Sequence, residues 1–148
     1  MELIGRCYIA GPFFNDAEVA IIKEIEDNLS RLGIKFFSPR LETTAPAENL
    51  SPYDKKEIWK QMFAINIENV EDCDWMLSTS VSDQGTIFEA GAAFAFGKPI
   101  LGFLPTPINK LNLMLVCGYN AIACGWDELE NALELGEIAD NQWEGEIE

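Results

Sequence analysis

The stretch that decides the fold opens with Trp75-Met76-Leu77-Ser78-Thr79. It continues through Ser82-Asp83-Gln84-Gly85-Thr86-Ile87-Phe88-Glu89-Ala90-Gly91-Ala92-Ala93-Phe94-Ala95-Phe96-Gly97 and closes with Pro99-Ile100-Leu101-Gly102-Phe103-Leu104. The outer pieces are short apolar runs of strand length, and the middle piece is long, rich in alanine and ended by a glycine. A strand at Trp75 to Thr79, a helix at Thr86 to Phe96 and a strand at Pro99 to Leu104 form one crossover unit, whose two strands run parallel.

The alternation extends in both directions. Leu3 to Ala10 reads as a buried first strand stopped by Gly11-Pro12, and Asn15 to Leu32 carries Val19, Ile22, Ile25 and Leu29 at helical spacing before Gly33. Ile34 to Phe37 is a short second strand closed by Ser38-Pro39, and Arg40 to Ser51 reads as a loop. Ser51-Pro52-Tyr53-Asp54 is a helix start, with Trp59, Met62, Phe63 and Val70 on the apolar stripe that follows. Downstream come a short Leu111 to Cys117 segment, a fifth strand at Asn120 to Cys124 and a helix from Trp126 to Leu135. The pattern predicts an α/β, flavodoxin-like (Rossmann-like) three-layer sandwich with a five-stranded parallel sheet. The chain, residues 1–148, reads as one domain with an acidic C-terminal tail from about 136.

Composition excludes several chemistries. The chain has 25 Asp plus Glu, 10 Lys plus Arg, no histidine and a formal charge of −15. Ser-His-Asp hydrolysis, Cys-His proteolysis, His-ligated zinc and imidazole acid/base catalysis all fall away. After Lys110 there are nine acidic residues and no basic ones. Such a surface repels phosphate backbones and anionic lipid, so neither a nucleic acid nor a membrane is an expected partner. No apolar run approaches a membrane span. Cys7, Cys73, Cys117 and Cys124 show no metal-like spacing and read as buried free thiols. A cytoplasmic protein with no metal and no cofactor is the expectation.

In a doubly wound sheet ligands sit beyond the carboxyl ends of the strands. Tyr8 to Pro12, Ser38 to Arg40, Ser80 to Glu89 and Pro105 to Asn112 lie there, and one pocket is expected to collect them. Glu89 is the only charge between Asp83 and Lys98, in a helix apolar enough to be buried. It admits two readings. Thr86-x-x-Glu89 fits a capping box. Alternatively Glu89 sits in the first helical turn, where the helix dipole keeps it ionised although water is scarce, and an ionised, under-solvated carboxylate is a nucleophile toward an acetal-like carbon. Asp83 either caps the helix or brings a second carboxylate to the same cavity, the arrangement retaining glycosyl transfer uses. Tyr8 is either a buried, satisfied phenol or a hydrogen-bond donor orienting Glu89. Asn66 falls on an apolar stripe and needs a partner in protein or ligand. Asn112 is either a turn residue or a ligand contact, and Phe13 with Phe14 either packs or stacks on a flat ligand. Asp74 reads as structural. Gly97-Lys98-Pro99 lacks the spacing of a phosphate-binding loop, and Gly11-Pro12 lacks the glycine pattern of a dinucleotide site.

Taken together, these pieces resemble the nucleoside 2-deoxyribosyltransferase family over nearly the whole chain. They are Tyr8-Ile9-Ala10-Gly11-Pro12-Phe13, Phe37-Ser38-Pro39, Asn66 with Cys73-Asp74, Asp83-x-Gly85-Thr86-x-x-Glu89-x-Gly91 through Gly97-Lys98-Pro99, and Asn112-Leu113-Met114. The resemblance implies exchange of nucleobases on 2′-deoxyribose, with deoxynucleosides and free nucleobases as partners. It implies Glu89 as nucleophile, Tyr8 as the phenol beside it, and Asp83 in substrate binding or proton handling. Gly11, Phe13, Asn66, Gly85, Asn112 and Met114 are implied substrate contacts, with Asn112 supplied by a neighbouring subunit of a homo-oligomer, a dimer or a dimer-based assembly as large as a hexamer. Some members carry Asp where this chain has Asn66, so a proton-donor role does not transfer to it. Gln142-Trp143-Glu144-Gly145 loosely resembles a segment that closes the site in some members.

The implied reaction is ping-pong and retaining, with hydrolysis as a side reaction. Two other readings compete. A deoxynucleoside 5′-monophosphate N-glycosidase would share the fold, but Pro12-Phe13-Phe14 and Asn112-Leu113-Met114 offer few phosphate donors. A non-catalytic flavodoxin-like nucleotide-binding module would leave Glu89 as a helix cap.

Overall fold

The computed structural model describes residues 1–140 and 143–148; Gln142 of the C-terminal resemblance lies outside them. The elements in chain order are β1 (Cys7–Ala10), α1 (Asp16–Arg31), β2 (Phe36–Phe37), α2 (Pro39–Glu42), α3 (Pro52–Asp72), β3 (Trp75–Ser78), α4 (Gln84–Ala95), β4 (Ile100–Leu104), β5 (Lys110–Leu111), α5 (Leu113–Gly118), β6 (Ala121–Cys124), α6 (Trp126–Leu135) and β7 (Glu146–Ile147). Five of the strands form one parallel sheet in the order β2-β1-β3-β4-β6. The order steps outward from β1 in both directions, which is the flavodoxin-like arrangement.

Side-chain alternation along each strand divides the core into two layers. Cys7, Ile9, Leu77, Leu101 and Phe103 point to one face and pack with Ile22, Ile25 and Leu29 of α1 and Leu129, Ala132 and Leu133 of α6. Tyr8, Ala10, Met76 and Ile122 point to the other, with Val70 of α3 and Ala90 and Ala93 of α4. The small residues of α4 let that helix lie close over the sheet, so a side chain on its inner face reaches the strands directly. Its end is set by Gly97, whose φ of +71° allows the Gly97 and Lys98 N–H groups to return to Phe94 and Ala93.

The structure moves several boundaries. β1 begins at Cys7, not Leu3, because Gly5 turns the chain at φ +91° against Asp74, whose Oδ2 accepts from the Arg6 N–H at 2.6 Å. The region expected to be a plain loop opens with the single turn α2. Beyond α6 the described carboxylates stay in water, while Ile138 and Trp143 pack against the core and the backbone is engaged. Glu137 bridges Glu2, and β7 pairs in parallel with β5. Of the four thiols only Cys7 and Cys73 are buried; Cys117 is exposed on α5 and Cys124 half-buried at the end of β6, which corrects the expectation of uniform burial. Among the described residues no helix is long and apolar enough to cross a membrane.

Candidate active site

Tyr8 and Glu89 are 81 positions apart and meet because β1 and α4 share a layer. The Tyr8 hydroxyl donates to Glu89 Oε1 at 3.0 Å, and the tyrosine ring is fully buried. Burial is the main force on the Glu89 carboxyl and raises it from an ordinary 4.5 to about 7; the Tyr8 hydrogen bond pulls the other way, and the Asp83 charge adds to the rise. Burial, then the charge and hydrogen bond of Glu89, push the Tyr8 phenol far above its ordinary value, so Tyr8 is a permanent donor at neutral pH.

The capping box does not form. Asp83 is the N-cap of α4, its Oδ2 accepting from both the Thr86 N–H and the Thr86 hydroxyl at 2.7 Å. A short carboxylate placed directly at the cap needs no reach across a turn, and it satisfies two donors at once. Glu89 is thereby placed in the second turn, not the first, and is left to Tyr8. There desolvation outweighs the dipole, so the expectation of a carboxylate simply kept ionised gives way to one half protonated near neutrality. A reading of Glu89 as only a helix cap loses its basis.

Glu89 lines a cavity of about 280 Å³ with Gly85 and Phe88 of α4 and Phe63, Asn66 and Ile67 of α3. Asn66 Oδ1 is buried there and has no hydrogen-bond partner among the described residues. That is a costly state for an amide oxygen unless a ligand donor completes it. Gly85 keeps the cap open: a Cβ on it would stand 3.3 Å from Asp83 Oδ2. Phe63 and Phe88, 5.9 Å apart and tilted at 53°, bring exposed aromatic surface to the same cavity. The sequence reading placed Phe63 on a packing stripe and gave Phe88 no role. An aromatic directly preceding the lone carboxylate was the available signal.

The remaining expected site residues are not gathered into this cavity within one chain. Gly11 has a packing reason: a Cβ would fall 1.9 Å from Thr79 Oγ1 and 2.8 Å from Ile22 Cδ1. Phe13 stacks on exposed Phe14 at 6.1 Å. Asn112 caps α5, its Oδ1 accepting from the Met114 N–H at 2.9 Å. Met114 lines a separate apolar cavity of about 340 Å³ with Ile87, Phe94 and Tyr119. A roomier cavity of about 760 Å³ lies by α6, includes Glu128 and Glu137, and contains neither Tyr8 nor Glu89. Convergent chemistry, not size, marks the α3–α4 cavity as the candidate.

The family model for nucleoside 2-deoxyribosyltransferases matches residues 7–120. Among solved structures, the 2-deoxyribosyltransferase of the psychrotolerant bacterium Bacillus psychrosaccharolyticus is 28% identical, with a TM-score of 0.72 over 92% of this chain and 98% of that one. A conserved protein of Enterococcus faecalis V583 is 21% identical (TM-score 0.58, 98% of this chain, 82% of that one). The Clostridium botulinum CMP N-glycosidase BcmB is 18% identical (TM-score 0.54, 88% of this chain, 98% of that one). These last two show a shared fold. A search of the curated proteins finds no match.

Proposed function

The chain belongs to the nucleoside 2-deoxyribosyltransferase family and is a glycosyl-transferring enzyme; on that premise we propose that Glu89 is the nucleophile of a two-step exchange of nucleobases on 2′-deoxyribose. The observation that carries the reading is the Tyr8–Glu89 hydrogen bond at the wall of the α3–α4 cavity. As carboxylate, Glu89 attacks C1′ of a deoxynucleoside, the glycosidic C–N bond breaks with its electron pair going to the base, and the base takes up a proton from water or by way of Asp83. A deoxyribosyl ester on Glu89 remains. A nitrogen of a second base then attacks C1′, loses its proton and releases the carboxylate, and two inversions give net retention. Water in place of the second base gives hydrolysis as a side reaction.

Tyr8 orients Glu89 and, as a permanent donor, stabilises its charged form. Asp83 uses Oδ2 for the cap, and Oδ1 is the oxygen assigned to substrate binding or proton handling. Asn66 Oδ1 accepts from the base or sugar. Gly85 keeps the cavity floor open, while Gly11 and Phe13 border the neighbouring strand end. Ile87, Phe94 and Met114 expose apolar surface around one shared cavity, which supports a homo-oligomer in which a second copy supplies Asn112 and Met114 to the site. Neither metal nor cofactor is assigned to the reaction.

Incubation of deoxyinosine with adenine, followed by chromatography of the bases, tests the reading. The expected products are deoxyadenosine and hypoxanthine, with little or none from inosine and no exchange by Glu89→Ala. Full activity in Glu89→Ala would remove the proposed nucleophile, and activity confined to 5′-monophosphates would favour the N-glycosidase reading.

A further inference from the structure

We infer that Phe37 is a positioning residue whose ring, stacked on Tyr8, holds the Tyr8 hydroxyl on Glu89. The inference rests on the reading of Glu89 as nucleophile and adds to it the element that keeps the nucleophile aimed.

The hydrogen bond at the centre of the site depends on where the buried Tyr8 ring is held. Tyr8 carries its hydroxyl at the end of two side-chain torsions, and its oxygen stands 3.0 Å from Glu89 Oε1, at the long end for an O–H donor. A small lateral displacement of the phenol takes it out of range. Parallel pairing of β1 with β2 places Phe37 directly beside Tyr8 in register, and the two rings stack with centroids 5.4 Å apart and planes 21° from parallel. That is within the favoured range for offset aromatic pairs. The Arg6 guanidinium, from the residue just before β1, stands over the Phe37 ring at 5.8 Å, a cation–π contact.

β2 is an edge strand of two residues, so its pairing alone is a weak anchor. What fastens it is the next turn of chain. The Ser38 hydroxyl donates to Glu26 Oε1 at 2.6 Å, and Arg40 donates to the same carboxylate through Nε at 3.2 Å and through Nη2 to Oε2. Glu26 is buried on α1. A buried carboxylate with three donors is a rigid post, and it pins the residue following Phe37. The path runs from α1, through the Glu26 clamp, to Phe37, to the Tyr8 ring and so to the nucleophile.

A ring that merely filled the core would be replaceable by any side chain of similar volume without changing the chemistry. A ring that aims Tyr8 would not. Phe37→Leu and Phe37→Met both remove the planar face, one with a branched and one with a flexible apolar side chain of similar size; Phe37→Tyr keeps the face. The readouts are kcat, KM and the pH profile of kcat/KM for base exchange, with wild type, Tyr8→Phe and Glu89→Ala assayed alongside. With the Tyr8 bond loosened, the Glu89 carboxylate loses a stabilising donor, so the ascending limb moves to higher pH by about half to one unit. At neutral pH kcat falls about tenfold with KM nearly unchanged. Phe37→Tyr restores both, and Phe37→Leu added to Tyr8→Phe moves the limb no further. Unshifted limbs in Phe37→Leu and Phe37→Met, with Glu89→Ala inactive, would overturn this inference alone. Exchange persisting in Glu89→Ala would overturn the nucleophile reading on which it rests.

Discussion

Replacing Glu89 by Gln is expected to stabilise the fold, and to do so more strongly the higher the pH. In the folded protein burial raises this carboxyl to about 7, against an ordinary 4.5 in the unfolded chain. The folded state therefore holds the proton more tightly, binds more protons across that interval, and loses stability as pH rises through it. Gln matches the protonated side chain in shape and still accepts from Tyr8, so it removes the cost of ionisation and little else. At about 1.4 kcal/mol per pH unit, the gap between variant and wild type is about 1 kcal/mol at pH 5.5 and levels off near 3 kcal/mol above pH 8. Urea unfolding followed by tryptophan fluorescence, at one protein concentration and several pH values, reads this as a midpoint difference. The difference grows to about 1–2 M at the alkaline end. A gap that stays constant with pH, or a wild type more stable than Glu89→Gln at pH 8.5, would refute the claim that the site holds its carboxylate against a desolvation penalty.

Other perturbations test separate parts of the structure. Asp83→Ala removes the α4 cap at a cost of about 1 kcal/mol and takes away a charge that pushes Glu89 upward. The acidic limb of kcat/KM, expected near pH 7 in the wild type, should move down, and a limb moving up would be contrary. Gly11→Ala drives a methyl into Thr79 and Ile22; a loss of about 1–3 kcal/mol is expected in thermal or chemical unfolding, and a neutral outcome would remove the packing account of this glycine. Glu26→Ala leaves Arg40 and Ser38 without their shared acceptor. A loss of about 3 kcal/mol in urea unfolding is expected, and a change below about 0.5 kcal/mol would show the clamp to be slack.

How far the sequence was legible depended on whether a feature was local. Helix α6 was read with both ends in place, because glycines flank a strongly amphipathic run, and the layered parallel sheet followed from alternation alone. The pairing of Tyr8 with Glu89 was open to inference because each is conspicuous in its own element. The choice of cap was not: Asp83 and Thr86 are both good capping residues three positions apart, and what decided between them was that the Asp83 carboxylate takes both Thr86 donors and leaves Glu89 to Tyr8 from a distant strand. Strand β7 escaped notice because Glu146-Ile147 has no periodicity, and its partner Lys110-Leu111 is equally short. The expectation of a single collecting pocket failed for a related reason. Strand ends place residues near one edge of the sheet, but the α3–α4 packing decides which of them share a cavity.

Helix α4 divides its work by face. Ala90 and Ala93 lie against the sheet at 3% and 0% exposure, while Phe88 on the outer side is 59% exposed beside Phe63. The inner face fixes how far Glu89 stands from Tyr8, and there any larger side chain lifts the helix off the strands. The outer face borders the cavity without bearing on that distance. On the proposed function, substrate scope is expected to drift in a mutant library through positions 63, 67 and 88 while the Tyr8–Glu89 pair keeps its spacing. The same library extended to positions 90 and 93 would fill with inactive clones.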